Sequence, residues 1–187
     1  MRRLILLSCL ALPSIVLAQT TRMTTDQPVQ LSVPAAATAD VESIDAIVDA
    51  LYDVISGPPG QARDWARFRS LFVPTARMIP IGMIPTGARA DGQHGLRLLG
   101  PNDYIASSGP LLLDKGFHER ELARRVEQFG HIAQVFSSYE ARIVKDDHTM
   151  RGINSIQLMN DGKRWWIVSL MWEAESDTVK LPTEFLK

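Results

Sequence analysis

Residues 152–173 read GINSIQLMNDGKRWWIVSLMWE. Two apolar-rich runs, 152–159 and 164–173, are joined by Asn160-Asp161-Gly162-Lys163. An Asp-Gly pair between such runs is the strongest short-range hairpin signal, because both positions tolerate the left-handed backbone that a tight turn demands. Upstream, residues 131–143 alternate. Ala133, Val135, Tyr139 and Ile143 face one way, and Gln134, Ser138, Glu140 and Arg142 face the other. The last third of the chain therefore predicts a meander of long antiparallel strands. Residues 117–129 are ambiguous. Leu122, Val126 and Phe129 fit one helical face, while the position before a strand suggests a further strand.

The first half carries a helical period. Ile44, Ile47, Val48, Leu51, Val54 and Ile55 form an apolar stripe, with Asp40 as expected N-cap and Gly57-Pro58-Pro59-Gly60 as its end. Trp65, Phe68, Leu71 and Phe72 share the face of a short helix capped by Asp64 and stopped by Pro74. Residues 78–84 are strand-like, and Pro80 confines them to an edge. Residues 86–95 form a Gly-rich loop. A third helical piece begins at Asn102 and is expected to break at Gly109-Pro110. Helices first and long strands afterwards predict an α+β domain, with N-terminal helices packed on one face of an antiparallel sheet.

The amino terminus follows a processing logic. Arg2 and Arg3 precede a mostly apolar stretch, and Val16-Leu17-Ala18 places small residues where a signal peptidase cuts. A lipobox around Cys9 would leave about five residues ahead of the modified cysteine, too few for an apolar core. Cleavage after Ala18 removes two arginines, no acid and the single cysteine, so the remaining 169 residues carry a net charge of −3. The expected organisation is a signal peptide over 1–18, a lead-in over 19–39, a domain over 40–175 and a tail over 176–187. The expected location is periplasmic or secreted, where a thiol-free chain sidesteps disulfide chemistry. A chain of 187 residues with 20 Lys+Arg against 21 Asp+Glu lacks the basic excess of a nucleic-acid binder. No segment approaches the roughly 20 apolar residues of a membrane span.

Three stretches carry a family resemblance: Phe68-Arg69-Ser70-Leu71-Phe72, Val135-Phe136-Ser137-Ser138-Tyr139-Glu140, and Arg151 to Leu158 running into Trp165-Trp166-Ile167. With a tyrosine-bearing first helix, they resemble the cone-shaped fold of the nuclear-transport-factor-2-like (NTF2-like) superfamily, including its SnoaL-like and ketosteroid-isomerase-like members. The resemblance implies a strongly curved sheet and a cone that holds a small, mainly apolar molecule. It also implies cofactor-free proton transfer of the isomerase or dehydratase type in some members. Fold alone does not fix function. The competing expectation is a non-catalytic interaction module with a filled cone and a partner-binding outer sheet face.

Familiar sites are struck out first. Residues 82–89 have the glycine spacing of a phosphate loop, but Ala88-Arg89 stands where Lys-Ser/Thr is needed. His118-Glu119 lacks the second zinc-protease histidine, because Leu122 holds its place. Ser107-Ser108-Gly109 lacks the first glycine of a nucleophile elbow. His94, His118, His131 and His148 are scattered, so no metal site is expected, and no cofactor.

Two residues are the candidates for catalysis. His131 is in register with Ala133, Val135 and Tyr139 and is expected to face the concave side, as a proton carrier or as a packed core histidine. By resemblance, scytalone-dehydratase-like members place a catalytic histidine in this region. Tyr52 stands where ketosteroid-isomerase-like members carry an oxyanion-stabilising tyrosine, and its alternative is plain packing. Tyr139, Asn154 and Trp172 are the expected pocket residues. The isomerase pattern also wants a pocket carboxylate, and none stands out. Glu119 and Arg124 have an odd separation, which puts them on opposite faces of a regular strand. Two copies are expected to pair through the outer face of the sheet.

Overall fold

The computed structural model describes residues 32–81 and 97–186. The signal peptide, most of the lead-in, residues 82–84 of the first strand-like run, the Gly-rich loop and His94 lie outside the described residues. Among the described residues there are three α-helices, α1 (Ile44–Ile55), α2 (Trp65–Ser70) and α3 (Pro101–Lys115). Five strands follow the order of the chain as β1 (Phe72–Ile81), β2 (Phe117–Phe129), β3 (Ile132–Ile143), β4 (His148–Asn160) and β5 (Trp165–Ala174). They form one sheet in the order β1-β5-β4-β3-β2. All neighbours are antiparallel except β1 and β5, which run parallel. Among the described residues no helix is long and apolar enough to cross a membrane.

The stripe on α1 is buried as its period requires, with Ile47, Val48, Leu51, Val54 and Ile55 all inside. Its cap is Ser43, whose Oγ accepts the Ala46 N–H at 3.0 Å, and not Asp40 as expected. Asp40 sits one turn earlier, in a 3₁₀ turn at Thr38–Asp40, and is gripped by Arg67 of α2. An ion pair outbids a cap for that carboxylate. Asp64 does cap α2, accepting the Arg67 N–H at 2.8 Å.

Helix α3 runs through Gly109-Pro110 without a break. A mid-helix proline forfeits one backbone hydrogen bond, but α3 lies against β1 and α2, and Gly109 lets the helix close on the Trp65 ring. Packing wins over the local signal there. Residues 117–129 are strand β2. The Asp161-Gly162 hairpin is as expected, with Gly162 at φ 90° and the strands paired from Asn160 and Trp165 onward.

The core lies between the helices and the concave face. Phe68, Phe72, Leu71, Ile47, Met78, Ile156, Ile167 and Val135 are sealed from solvent. On the opposite face the C-terminal segment folds back as a strap. Phe185 is buried against Phe136, with ring centroids 6.1 Å apart, and its carbonyl accepts the Ser138 hydroxyl at 2.8 Å. Glu175 anchors the strap's start, taking the Leu181 N–H on one carboxylate oxygen and Arg151 on the other.

Candidate functional site

Between α1, α3 and the concave face lies a cavity of about 710 Å³. Its walls are mainly apolar, with Leu51, Ile55, Met78, Leu112 and Met150 among them. Tyr139, Asn154 and Trp172, the three expected pocket residues, all line it. The cross-strand register explains why. Ser137 stands opposite Asn154, and Asn154 opposite Trp172, so one inward row crosses three strands. Aromatic rings close one side: Phe68 stacks on Tyr104 at 5.3 Å, and Tyr104 meets Trp172 edge-on at 6.2 Å. Gly152 makes space for the Tyr139 phenol, since a Cβ there would sit 2.5 Å from its hydroxyl.

The carboxylate missing from the sequence reading is Glu119. It projects from β2 into the cavity, where Asn154 Nδ2 donates to its Oε1 at 3.0 Å. Burial raises its pKa from 4.5 to about 7, and the Asn154 hydrogen bond opposes that rise. Burial also raises the phenols of Tyr104 and Tyr139, and the charge of nearby Glu119 adds to both shifts.

The odd-separation argument for Glu119 and Arg124 fails at Leu122. Glu121 pairs with Tyr139 and Ala123 with Ser138, so Leu122 is an extra residue, a β-bulge. Before it, Phe117, Glu119 and Glu121 face inward. After it, Arg124 does. Arg124 accordingly reaches Glu121 on its own strand and Asp45 and Asp49 on α1, each at 2.7 Å.

The two candidates for catalysis are not brought together. His131 is exposed in the turn between β2 and β3, because β3 begins only at Ile132, and the last pair, Phe129 with Ile132, is itself exposed. Alternation places His131 on the inward parity, but it lies in the turn beyond the end of the β2–β3 ladder and is exposed there. It does not line the cavity, and it is not a packed core histidine either. Tyr52 is buried under α1 one layer behind the cavity wall. Its hydroxyl meets Ser137 Oγ at 2.6 Å and accepts from Asn154 Nδ2 at 3.1 Å. Burial, then the charge of Glu119, pushes this phenol well above its usual range. Among the described residues no cluster of three or more His, Cys, Asp or Glu is placed to hold a metal ion.

No family model matches the chain, and no curated protein matches it. Solved structures do. The hexachlorocyclohexane dehydrochlorinase LinA-type3 from Novosphingobium barchaimii LL02 aligns at a TM-score of 0.53 and 10% identity, over 75% of this chain and 92% of that one. A protein of unknown function with a cystatin-like fold from Nostoc punctiforme PCC 73102 gives 0.53 and 9%, over 72% and 90%. An NTF-2-like protein of unknown function from Silicibacter pomeroyi DSS-3 gives 0.48 and 16%, over 72% and 94%. Identities this low speak to the fold alone. The fold that this chain shares with the LinA-type3 and cystatin-like-fold structures is an α+β one, with helices packed on a mostly antiparallel five-stranded sheet.

Proposed function

We propose that the cavity binds a small, mainly apolar molecule and that Glu119 exchanges a proton with it, as in a cofactor-free isomerase or lyase. One observation carries this reading: a carboxylate, the one among the described lining residues, stands in a largely apolar cavity with its pKa raised to about 7. Such a group is part ionised near neutral pH, where one carboxyl can both take and return a proton. Asn154 supplies a neutral donor beside it, and the aromatic wall keeps the ligand's apolar body out of water. Glu119 thus takes the acid/base part that the sequence assigned to His131, and the hydrogen bonds of Tyr52 are spent within the protein.

A cavity of this size falls within the range of small-molecule sites, which favours ligand binding over a filled-cone interaction module. The leader-like segment around Arg2, Arg3 and Ala18 supports export. Pairing of two copies through the outer face would use the area that the strap leaves bare.

Trp172 offers the assay. A panel of small apolar molecules, titrated by tryptophan fluorescence with Trp172→Phe as control, should contain compounds that quench the wild type and not the variant. Turnover of a bound compound should rise with an apparent pKa near 7 and vanish in Glu119→Gln. A panel that binds nowhere, with a stable complex to another protein, would overturn the proposal.

A further inference from the structure

A chain of hydrogen bonds leaves the cavity behind Glu119, and its direction can be read from one end. Arg124 holds Glu121 through both Nε and the terminal guanidinium nitrogen, at 2.7 and 2.6 Å. An ionised carboxylate only accepts. Ser137 must therefore donate its proton to Glu121 Oε1, which leaves its oxygen to accept from Tyr52 at 2.6 Å. The Tyr52 hydroxyl, having spent its proton on Ser137, accepts from Asn154 at 3.1 Å. With one amide hydrogen turned to Tyr52, the other reaches Glu119 at 3.0 Å.

We propose that Glu121, acting through Ser137 and Tyr52, sets which way the Asn154 amide faces, so that an N–H and not the carbonyl is presented to Glu119. Glu121, Ser137 and Tyr52 are then positioning residues. Asn154 is the group they aim, and Glu119 is the group whose ionisation they assist. This rests on Glu119 as the acid/base group of the cavity, but concerns the unliganded chain and needs no substrate.

Among the described residues, the other ionisable groups around Glu119 are Tyr104 of α3, Tyr139 of β3, Tyr52 of α1, Glu121 of its own strand, and Arg97, which lines the cavity just before α3. Arg63, beside Tyr104, is occupied by the carbonyls of Ile55, Gln61 and Gly57. Among these groups, Glu121 and the intervening Tyr52 are tied to Glu119 through the oriented chain, and the charge on Glu121 makes a test of sign possible.

By charge alone, Glu121→Gln removes a like charge and should lower the pKa of Glu119. By orientation it should do the reverse. A glutamine amide can donate to Ser137, let Ser137 and Tyr52 turn round, and free the Asn154 carbonyl to face Glu119, which must then stay protonated to be bonded.

The experiment is a side-chain ¹³C carboxyl titration of Glu119 in the full chain, assigned with Glu119→Gln. We expect Glu121→Gln to raise the Glu119 pKa by about half a unit or more, Ser137→Ala to raise it too, and Ser137→Thr to restore the wild-type value. An unchanged or lowered pKa in Glu121→Gln overturns the proposal. If that variant fails to fold by circular dichroism, the Ser137→Ala and Ser137→Thr pair decides: equal titration in the two overturns it. A cavity that binds no ligand would sink the proposed function and leave this result standing.

Discussion

Asn154 lies directly across from Trp172 in the β4–β5 pair, and both face the concave side of the sheet. A polar amide and a large aromatic ring are thereby fixed as neighbours on rigid strands. This is the arrangement that a site needs if it is to orient a ligand without a mobile loop. Glu119 completes it from β2, two strands away, and its burial gives the site a proton that it can release near neutral pH.

That buried carboxyl has a stability consequence with a definite sign. Its folded pKa of about 7 lies above the unfolded value near 4.5. Between those values the folded chain keeps a proton that the unfolded chain has lost, so stability falls as pH rises through that window. The loss is on the order of 3 kcal/mol by pH 8. Glu119→Gln removes the ionisation while keeping an acceptor for Asn154. In urea denaturation it should match the wild type near pH 4.5 and be more stable than it at pH 8.

The Asp40–Arg67 pair acts in the opposite direction. The Arg67 hydrogen bonds hold the Asp40 carboxyl below its usual value despite burial. A depressed folded pKa contributes stability above the unfolded pKa of 3.8 and loses it as pH falls below that value. Asp40→Asn should cost about 1–2 kcal/mol at pH 7, and denaturation at pH 2.5 should show a smaller gap between variant and wild type.

Gly152 is a packing requirement at both ends of one residue. A Cβ there would lie 2.2 Å from the Glu173 carbonyl and 2.5 Å from the Tyr139 hydroxyl. The carbonyl belongs to the neighbouring strand and cannot move cheaply. Gly152→Ala should destabilise by about 2–4 kcal/mol, seen as a lowered melting temperature. Tyr139→Phe in the same background should recover a small part of the loss, because it removes the hydroxyl contact but leaves the ring carbon at 2.7 Å.

The strap makes a prediction about association. Phe185→Ala deletes a buried ring at a cost of about 3 kcal/mol and bares Phe136 on the outer face. Light scattering should then show a larger apparent mass than for the wild type at equal concentration. An unchanged mass would mean that the bared face is not adhesive.

The hairpin at Asp161-Gly162 and the faces of α1 and β3 were legible because each is decided by residues within a few positions of one another, whereas α2 ends at Ser70, and Phe72 and Pro74, read as its face and its stop, belong to β1. The β1–β5 pairing was not legible, since a parallel ladder between Phe72 and Ile167 leaves no local signature. Asp40 was misread as a cap because Arg67, 27 residues on, was invisible as its competitor. His131 illustrates a limit of alternation, which gives parity but not where a strand ends. Tyr139, Asn154 and Trp172 came through because they sit well inside their strands. Glu119 was hidden for a different reason. Its partners come from four separate elements, and the residue that decides the parity of its strand is an ordinary leucine.

That leucine divides β2 into two territories. Phe117 and Glu119 before it line the cavity, while Arg124 after it holds α1 through Asp45 and Asp49, and the extra residue at Leu122 sets the two stretches out of phase. Phe117 can be varied to reshape the pocket without touching the helix contact, whereas Glu121 cannot, because Arg124 binds it together with Asp45 and Asp49 of α1. Sequences of relatives should be compared with a gap allowed at that position, because an ungapped match would swap inside for outside over half the strand.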